Sequence, residues 1–374
     1  MANDERVSVL CVVGARPNFM KIAPIMRSFN RPECKIKATL LHTGQHYDAA
    51  MKQSFFDQLG IPEPDIDLGV GGGSHAEQTA EIMKRFEPVV IETKPDVVLV
   101  VGDVNSTVAC ALVASKLGVK VIHVEAGLRS YDRAMPEEIN RVLTDQISDL
   151  LFTTEESALG NLEREGIDRG RVHFVGNVMI DTLRFNLTRA IPAKETLEGF
   201  EIRERYGLVT FHRPSNVDVD SVLKGIVSTL INISKTIPLV FPVHPRTENS
   251  LKDKGYWPLL EAANIVLLKP QGYLELLGVM SEAAVVLTDS GGLQEETTAL
   301  GVPCITIRES TERPITITEG TNVLVGTDPT RIIDAFEDVM TTGGKSGSIP
   351  KYWDGNAADR ISEVIVSLAP QLQS

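Results

Sequence analysis

Two stretches, "VVLVVGDVNSTVACALVASKLGVKVIHV" (Val97–Val124) and "VVLTDSGGLQEETTALGVPCITI" (Val285–Ile307), follow one plan. Each has an apolar strand, an Asp at its end, a polar turn, a helical segment, Leu-Gly-Val and a second apolar strand. Strands rich in Val, Ile and Leu without polar alternation are buried on both faces, as in parallel sheets. A helix between two such strands makes a β–α–β unit with a right-handed crossover. The spacing predicts helices over Asn105–Leu117 and Gly292–Leu300.

The same alternation extends outward. Further strands read "VSVLCVVG", "IKATLLHTG", "DLLFTT" and "RVHFVGN" in the first half, and "LVTFHR", "PLVFPVHP" and "NIVLLKP" in the second. "VVGARPN" and "TFHRPSN" echo each other as strands followed by an Arg-Pro turn. The chain has 374 residues, 43% of them hydrophobic, which is long for one core. The expected fold class is α/β, with two Rossmann-like doubly wound domains facing each other across a cleft. The expected divisions are 1–181, 182–355 and 356–374. The polar stretch Thr182–Arg205 is read as the boundary and "TTGGKSGSIP" as a second linker. A terminal helix, Ala357–Leu368, is expected to cross back onto the first domain.

The formal net charge is −13, which argues against nucleic acid or an anionic membrane as partner. A small anionic ligand feels only its local site and stays allowed. Cys11, Cys34, Cys110 and Cys304 form no CxxC pair, which fits a reducing compartment and argues against disulfides or zinc. No apolar run reaches about 18 residues, so a soluble, cytoplasmic protein is expected. "GVGGGSH" is not GxGxxG, because Ser74 stands where the last Gly would be. "GGKSG" lacks the earlier Walker-A glycine. No cofactor and no metal are expected.

Charged residues gather where ligands bind in such folds, after the strands. Arg16 and Lys21 of "GARPNFMK" lie near the start of a helix, where backbone N–H groups favour anions. Asp103 of "GDVNST" is either an N-cap or a functional carboxylate. Glu125 of "HVEAGLRS" needs a partner in its apolar surroundings, and Arg129 is close in sequence. "MPEEINR" places Glu137, Glu138 and Arg141 at a helix start, where acidic residues are also favoured for the dipole alone. Three carboxylates at strand ends of one domain can converge as acid–base groups. In the second half, His212, Arg213, His244, Arg246, Arg308 and Arg313 recur after successive strands, consistent with a basic rim. Asp289-Ser290-Gly291-Gly292 opens a helix in the manner of a phosphate-binding turn, yet Glu295 and Glu296 follow closely.

Together, "GARPNFMKIAPI", "TGQH", "GDVNSTVA", "HVEAGLRS", "PEEINR", "DSGGLQEE" and "TERP…EGTN" resemble the non-hydrolysing UDP-N-acetylglucosamine 2-epimerase family. The resemblance implies a glycosyltransferase-B-type fold, usually as a homodimer, with a UDP-sugar as partner. It implies that Arg16, His212, Ser290, Gly291, Gly292 and Arg313 hold the diphosphate and that Glu296 binds the ribose. Asp103, Glu125 and Glu137, with His212, match the groups implicated in moving the C2 proton. Lys21 and Arg141 match basic residues of the catalytic cleft, and His244 is added as a substrate contact on the basic rim. Glu295, about 100° round the helix from Glu296, is expected to face solvent or a basic neighbour.

Two departures stand out. Many members read His-Arg-Arg-Glu-Asn where this chain has His212-Arg213-Pro214-Ser215-Asn216. Some bacterial members bind a second substrate molecule as activator, through residues after Gln-His and an Arg before Gln-Thr. Here Tyr47-Asp48 follow Gln45-His46, and Glu77 precedes Gln78-Thr79, so an acid stands where a diphosphate would need a cation.

Overall fold

Strand β1 (Val7–Val13) pairs in parallel with β2 (Ile36–His42) on one side and with β4 (Val97–Val101) on the other. Every residue of Val97–Val101 is buried, as a central strand covered on both faces requires. With β3 (Ile66–Asp67), β5 (Lys120–Ala126), β6 (Leu150–Thr153) and β7 (Val172–Phe174), they form a parallel sheet of order β3-β2-β1-β4-β5-β6-β7. The computed structural model describes residues 6–44, 59–202 and 205–373, without the side chain of Arg16. Gln45, His46, Tyr47 and Asp48 lie outside the described residues.

The second half repeats the plan. Strands β8 (Gly207–Thr210), β9 (Leu239–Pro242), β10 (Ile265–Leu268), β11 (Val285–Thr288), β12 (Cys304–Thr306) and β13 (Asn322–Leu324) make a parallel sheet of order β10-β9-β8-β11-β12-β13. In both sheets the order reverses between the first strand and the fourth, at β1/β4 and at β8/β11. Ligands of doubly wound sheets bind at such switch points, beyond the carboxyl ends of the strands.

The longer helices cover these sheets. In the first half they are α1 (Arg16–Phe29), α2 (His75–Thr93), α3 (Asn105–Lys116), α4 (Pro136–Ile147), α5 (Glu156–Arg164) and α6 (Val178–Leu187). The second half adds α7 (Asp220–Ile233), α8 (Pro245–Asp253), α9 (Tyr273–Ser281), α10 (Gly291–Leu300), α11 (Pro329–Thr342) and, at the end, α12 (Ala357–Ser367). Under the first sheet, Leu10, Val98 and Val100 pack with Phe86, Ala109 and Val113 of α2 and α3. In the second, Val209, Phe241, Leu287 and Ile305 pack with Leu230, Ile332 and Phe336 of α7 and α11. Among the described residues, no helix is long and apolar enough to cross a membrane.

The chain divides into two compact units, Met1–Arg184 with Lys351–Ser374, and Phe185–Pro350. Thr182, expected to begin a polar linker, lies inside α6; it is buried and its hydroxyl donates to Met20 O at 2.6 Å. The polar composition there belongs to a helix that continues across the division. Within the first unit, the Trp353 indole donates to Thr154 O, and Asp181 accepts the Ala357 and Ala358 N–H groups at the start of α12. Ser28 of α1 donates to Asp359 of α12 at 2.7 Å.

Candidate active site

In the first unit the turns after β1 and β4 are tied together at the switch point. Asn18 accepts the Ala15 N–H at 3.0 Å, and its amide donates to Val101 O at 2.7 Å. Asp103 follows β4, but Val104 occupies the N-cap position of α3. Asp103 is therefore no N-cap; its carboxylate pairs with Arg141.

Glu125 sits where the β5–β6 register shifts, between Val124 and Ala126, with φ 74°. A left-handed conformation in a residue with a Cβ costs about 1–3 kcal/mol and is kept where the surroundings over-determine it. Bulges often re-aim a side chain beside an active site. Glu125 is buried and lies 2.6 Å from the Lys21 ammonium. This corrects one expectation. Arg129, the neighbour in sequence, pairs instead with Asp145 and Glu165. Lys21, expected among the basic residues of the catalytic cleft, points its charge at a carboxylate.

Glu137 is half-buried in the first turn of α4 and makes no side-chain hydrogen bond among the described residues. Its neighbour Glu138 does more than favour a helix start. It accepts from Ser130 N (3.0 Å), Tyr131 N (2.9 Å) and Arg141 Nη1 (2.5 Å). Burial would raise its carboxyl, but the Ser130 donors, the Arg141 charge and the Tyr131 N–H hold it below the usual range. Arg141 thus bridges Asp103 and Glu138. Only the spacing of three between Glu138 and Arg141 signals this in the sequence. Glu77, in the position read against an activator site, closes a capping box with Ser74.

In the second unit the corresponding switch point holds His212 after β8 and Asp289 after β11. His212 Nδ1 lies 3.1 Å from Asp289 Oδ1. Buried Asp289 also accepts from Arg213 N at 2.9 Å and the Asn216 amide at 3.1 Å. Burial pushes its carboxyl up, but the His212 ring and the Arg213 and His212 backbone N–H groups outweigh that and hold it low. The role of Asp289 was missed, because its partners lie more than 70 residues away in sequence. His244 is exposed, its ring 5.8 Å from that of His212, and its Nδ1 accepts the Arg246 N–H. Arg246 pairs with Asp218.

Helix α10 opens at Gly291, one residue before the expected start, with Ser290 at the N-cap position. A Cβ on Gly291 would lie 2.8 Å from Glu312 Oε1, so a side chain there would press on that carboxylate. Glu312 is held by Arg308 at 2.7 Å, and despite burial the Arg313 and Arg308 charges keep its carboxyl well below the usual range. Arg313 Nε is 2.7 Å from Glu295, so Glu295 has the basic neighbour and is buried. Glu296 accepts from the Tyr273 hydroxyl at 2.8 Å. Burial pushes the Glu296 carboxyl up to about 7; the Tyr273 hydrogen bond opposes the rise and the Glu295 charge adds to it.

One unit therefore presents carboxylates with cationic partners at its strand ends. The other presents a helix N-terminus, suited to an anion, with a carboxylate about two turns further on. Two Rossmann-like units so equipped define a doubly wound α/β protein with strand-end carboxylates in one unit and an anion-suited helix start in the other. The chain belongs to the UDP-N-acetylglucosamine 2-epimerase family, whose sequence profile it matches over residues 30–366. It is 41% identical over 360 residues to a UDP-N-acetylglucosamine 2-epimerase of Methanococcus maripaludis, covering 95% of this chain and 97% of that one. It is also 40% identical over 369 residues to the UDP-2,3-diacetamido-2,3-dideoxy-D-glucuronate 2-epimerase of Pseudomonas aeruginosa, covering 97% and 100%. Among solved structures, the Methanocaldococcus jannaschii UDP-GlcNAc 2-epimerase in complex with UDP-GlcNAc and UDP matches with a TM-score of 0.86 and 41% identity. That match covers 96% of this chain and 99% of the other.

Proposed function

We propose that this protein interconverts UDP-N-acetylglucosamine and UDP-N-acetylmannosamine by eliminating and re-adding UDP, without net hydrolysis. The observation that carries this reading is the placement of Asp103 after β4 and of Glu125 at the end of the adjacent β5, each paired with a cation, Arg141 and Lys21. The C2 proton lies beside an amide nitrogen and no carbonyl, so simple deprotonation is very unfavourable. Loss of UDP supplies the driving route. The C1–O bond to UDP breaks, a base takes the C2 proton, and C1=C2 forms as a 2-acetamidoglucal. UDP oxygen then re-attacks C1 while an acid protonates C2 on the other face.

Such a route needs acid–base groups for both faces of C2 and stabilisation of the departing diphosphate. In this reading Asp103, Glu125 and Glu137 serve the first need, with His212. The N-terminus of α10 at Ser290-Gly291-Gly292, with Arg16 and Arg313, serves the second. Glu296 takes the ribose hydroxyls, and Lys21 and Arg141 hold the charge of their carboxylates. His244 lies beside His212 as a substrate contact. The product supplies N-acetylmannosamine-type sugars for surface polysaccharide.

The test is incubation with UDP-N-acetylglucosamine in D2O. Deuterium at C2 and a UDP-linked manno epimer are expected. No exchange and no epimer would overturn the reading, and free N-acetylmannosamine with UDP would replace it by the hydrolysing reaction. The relative from Pseudomonas aeruginosa, at nearly equal identity, motivates a second substrate. Assaying the diacetamido uronate alongside decides between the two by their kcat/KM ratio.

A further inference from the structure

Behind the carboxylates of the first unit runs a buried charged chain that the roles above do not use. His123 of β5 and Asp145 of α4 are both fully buried, with Nδ1 and Oδ1 2.6 Å apart. His123 Nε2 lies 2.8 Å from Gly102 O. A carbonyl only accepts, so Nε2 carries a proton. The second oxygen of Asp145 accepts from Gly127 N at 3.1 Å and Arg129 Nη2 at 2.7 Å. Burial pushes the Asp145 carboxyl up, but the His123 and Arg129 charges and hydrogen bonds outweigh it and hold it low. Across 2.6 Å, Nδ1 and Asp145 Oδ1 are joined by one hydrogen bond, while the Nε2–H is donated to Gly102 O. Arg129 is fixed in turn by Glu165, at 2.8 and 2.6 Å.

Each end of this chain grips a backbone atom beside a carboxylate. Gly102 precedes Asp103, has φ 68°, and donates to Val124 O at 3.1 Å. Gly127 follows Glu125 by two residues and has φ 79°. Asp145 shares α4 with Glu137 and Arg141. A single His–Asp pair therefore touches all three elements that carry Asp103, Glu125 and Glu137. A buried ion pair is weak evidence for stability, since well-packed apolar residues often serve as well or better. What an apolar side chain at position 123 lacks is a donor for Gly102 O.

We infer that His123 and Asp145 are positioning residues that set the placement of Asp103, Glu125 and Glu137 relative to one another. The inference rests on the acid–base roles proposed above. Neither residue touches the sugar in this account; each acts through the backbone it holds. A misplacement of about 1 Å in such a constellation can cost on the order of 10²-fold in rate.

The test compares His123→Leu, His123→Gln and Asp145→Asn in the full-length protein. Gln retains an N–H able to reach Gly102 O, and Leu does not. Expected are a kcat for C2 exchange lowered about 10²-fold in His123→Leu and Asp145→Asn, partial recovery in His123→Gln, and unchanged UDP affinity in all three. A crystal structure of Asp145→Asn should show Gly102 and Gly127 displaced. Equal kcat in the Leu and Gln variants, or an unmoved Gly102 and Gly127, would overturn the inference. Should the variants fail to fold, nitrogen-15 NMR of the wild-type protein decides it. A slowly exchanging Nε2–H on His123 is expected, and an Nε2 without that proton would sink it. Wild-type protein without C2 exchange would count against the proposed reaction alone, and the structural and NMR readouts would still judge the positioning.

Discussion

Asp289 Oδ1 lies 3.1 Å from Nδ1 of His212, across the switch point of the second sheet. The carboxylate is buried, whereas the His212 side chain is 46% exposed. With Nδ1–H given to Asp289, Nε2 is left to meet a ligand. His212→Asn is expected to lower turnover about 10²–10⁴-fold, the usual span for a proton-transfer group. Asp289→Asn keeps the shape but loses the charge that fixes the ring, so a smaller loss in kcat is expected. Steady-state kinetics on both variants checks the order; an Asp289→Asn enzyme with wild-type kcat would remove Asp289 from this role.

With the ribose-binding role proposed for Glu296, UDP affinity is expected to depend on pH. Its carboxyl is pushed up to about 7, chiefly by burial. In the proposed ribose-binding role, ribose hydroxyls would donate to the ionised form and so lower that value on binding. A group whose pKa falls on binding gives affinity that is present above the free value and lost as pH drops through it. UDP should therefore bind more weakly at pH 6 than at pH 8. Glu296→Gln should flatten the profile, and Glu296→Ala should weaken binding roughly 10- to 100-fold, as for a hydrogen bond to a charged group. Calorimetric titration at several pH values measures this; a wild-type profile as flat as that of Glu296→Gln would refute it.

Much of the fold was legible because its signals are local. Val97–Val101 and Val285–Thr288 are short apolar runs followed by helical segments, and repetition of that pair implies two doubly wound sheets. Asp103 and Glu125 were legible as strand-end carboxylates, and Glu296 as one about two turns into the helix after Ser290. Their partners were not. Lys21 meets Glu125 across 104 positions and Tyr273 meets Glu296 across 23. Such pairs are set by packing, and nearness in sequence pointed to Arg129 instead. The division at Arg184/Phe185 falls inside the polar stretch Thr182–Arg205, but that stretch begins as a helix and not a linker, which shows only once the Thr182 hydroxyl is seen bonded to Met20.

Asp181 ties the returning C-terminal segment to the first unit by accepting two N–H groups of α12. Burial pushes its carboxyl from 3.8 to about 6, the α12 N–H bonds opposing and the Asp354 and Asp359 charges adding. A group whose folded pKa is raised stabilises fully below its unfolded value and loses that contribution as pH rises through the folded one. The wild type should thus lose stability relative to Asp181→Asn between about pH 4 and pH 6. Thermal midpoints of the two proteins over that range test it. A difference that does not change with pH would show that Asp181 does not titrate there.

The Lys21–Glu125 pair links stability to the site. Both side chains are at most 9% exposed, and Glu125 holds a left-handed backbone. Removing one partner of a buried pair leaves a charge without compensation and typically costs about 3–5 kcal/mol. Lys21→Met should cost about that much. Adding Glu125→Gln removes the buried negative charge that Lys21 had balanced, so the double variant should regain part of the loss while turnover stays low. If the pair were only structural, the more stable double variant would also recover activity. Chemical denaturation of the single and double variants, beside the D2O exchange assay on each, separates the two outcomes.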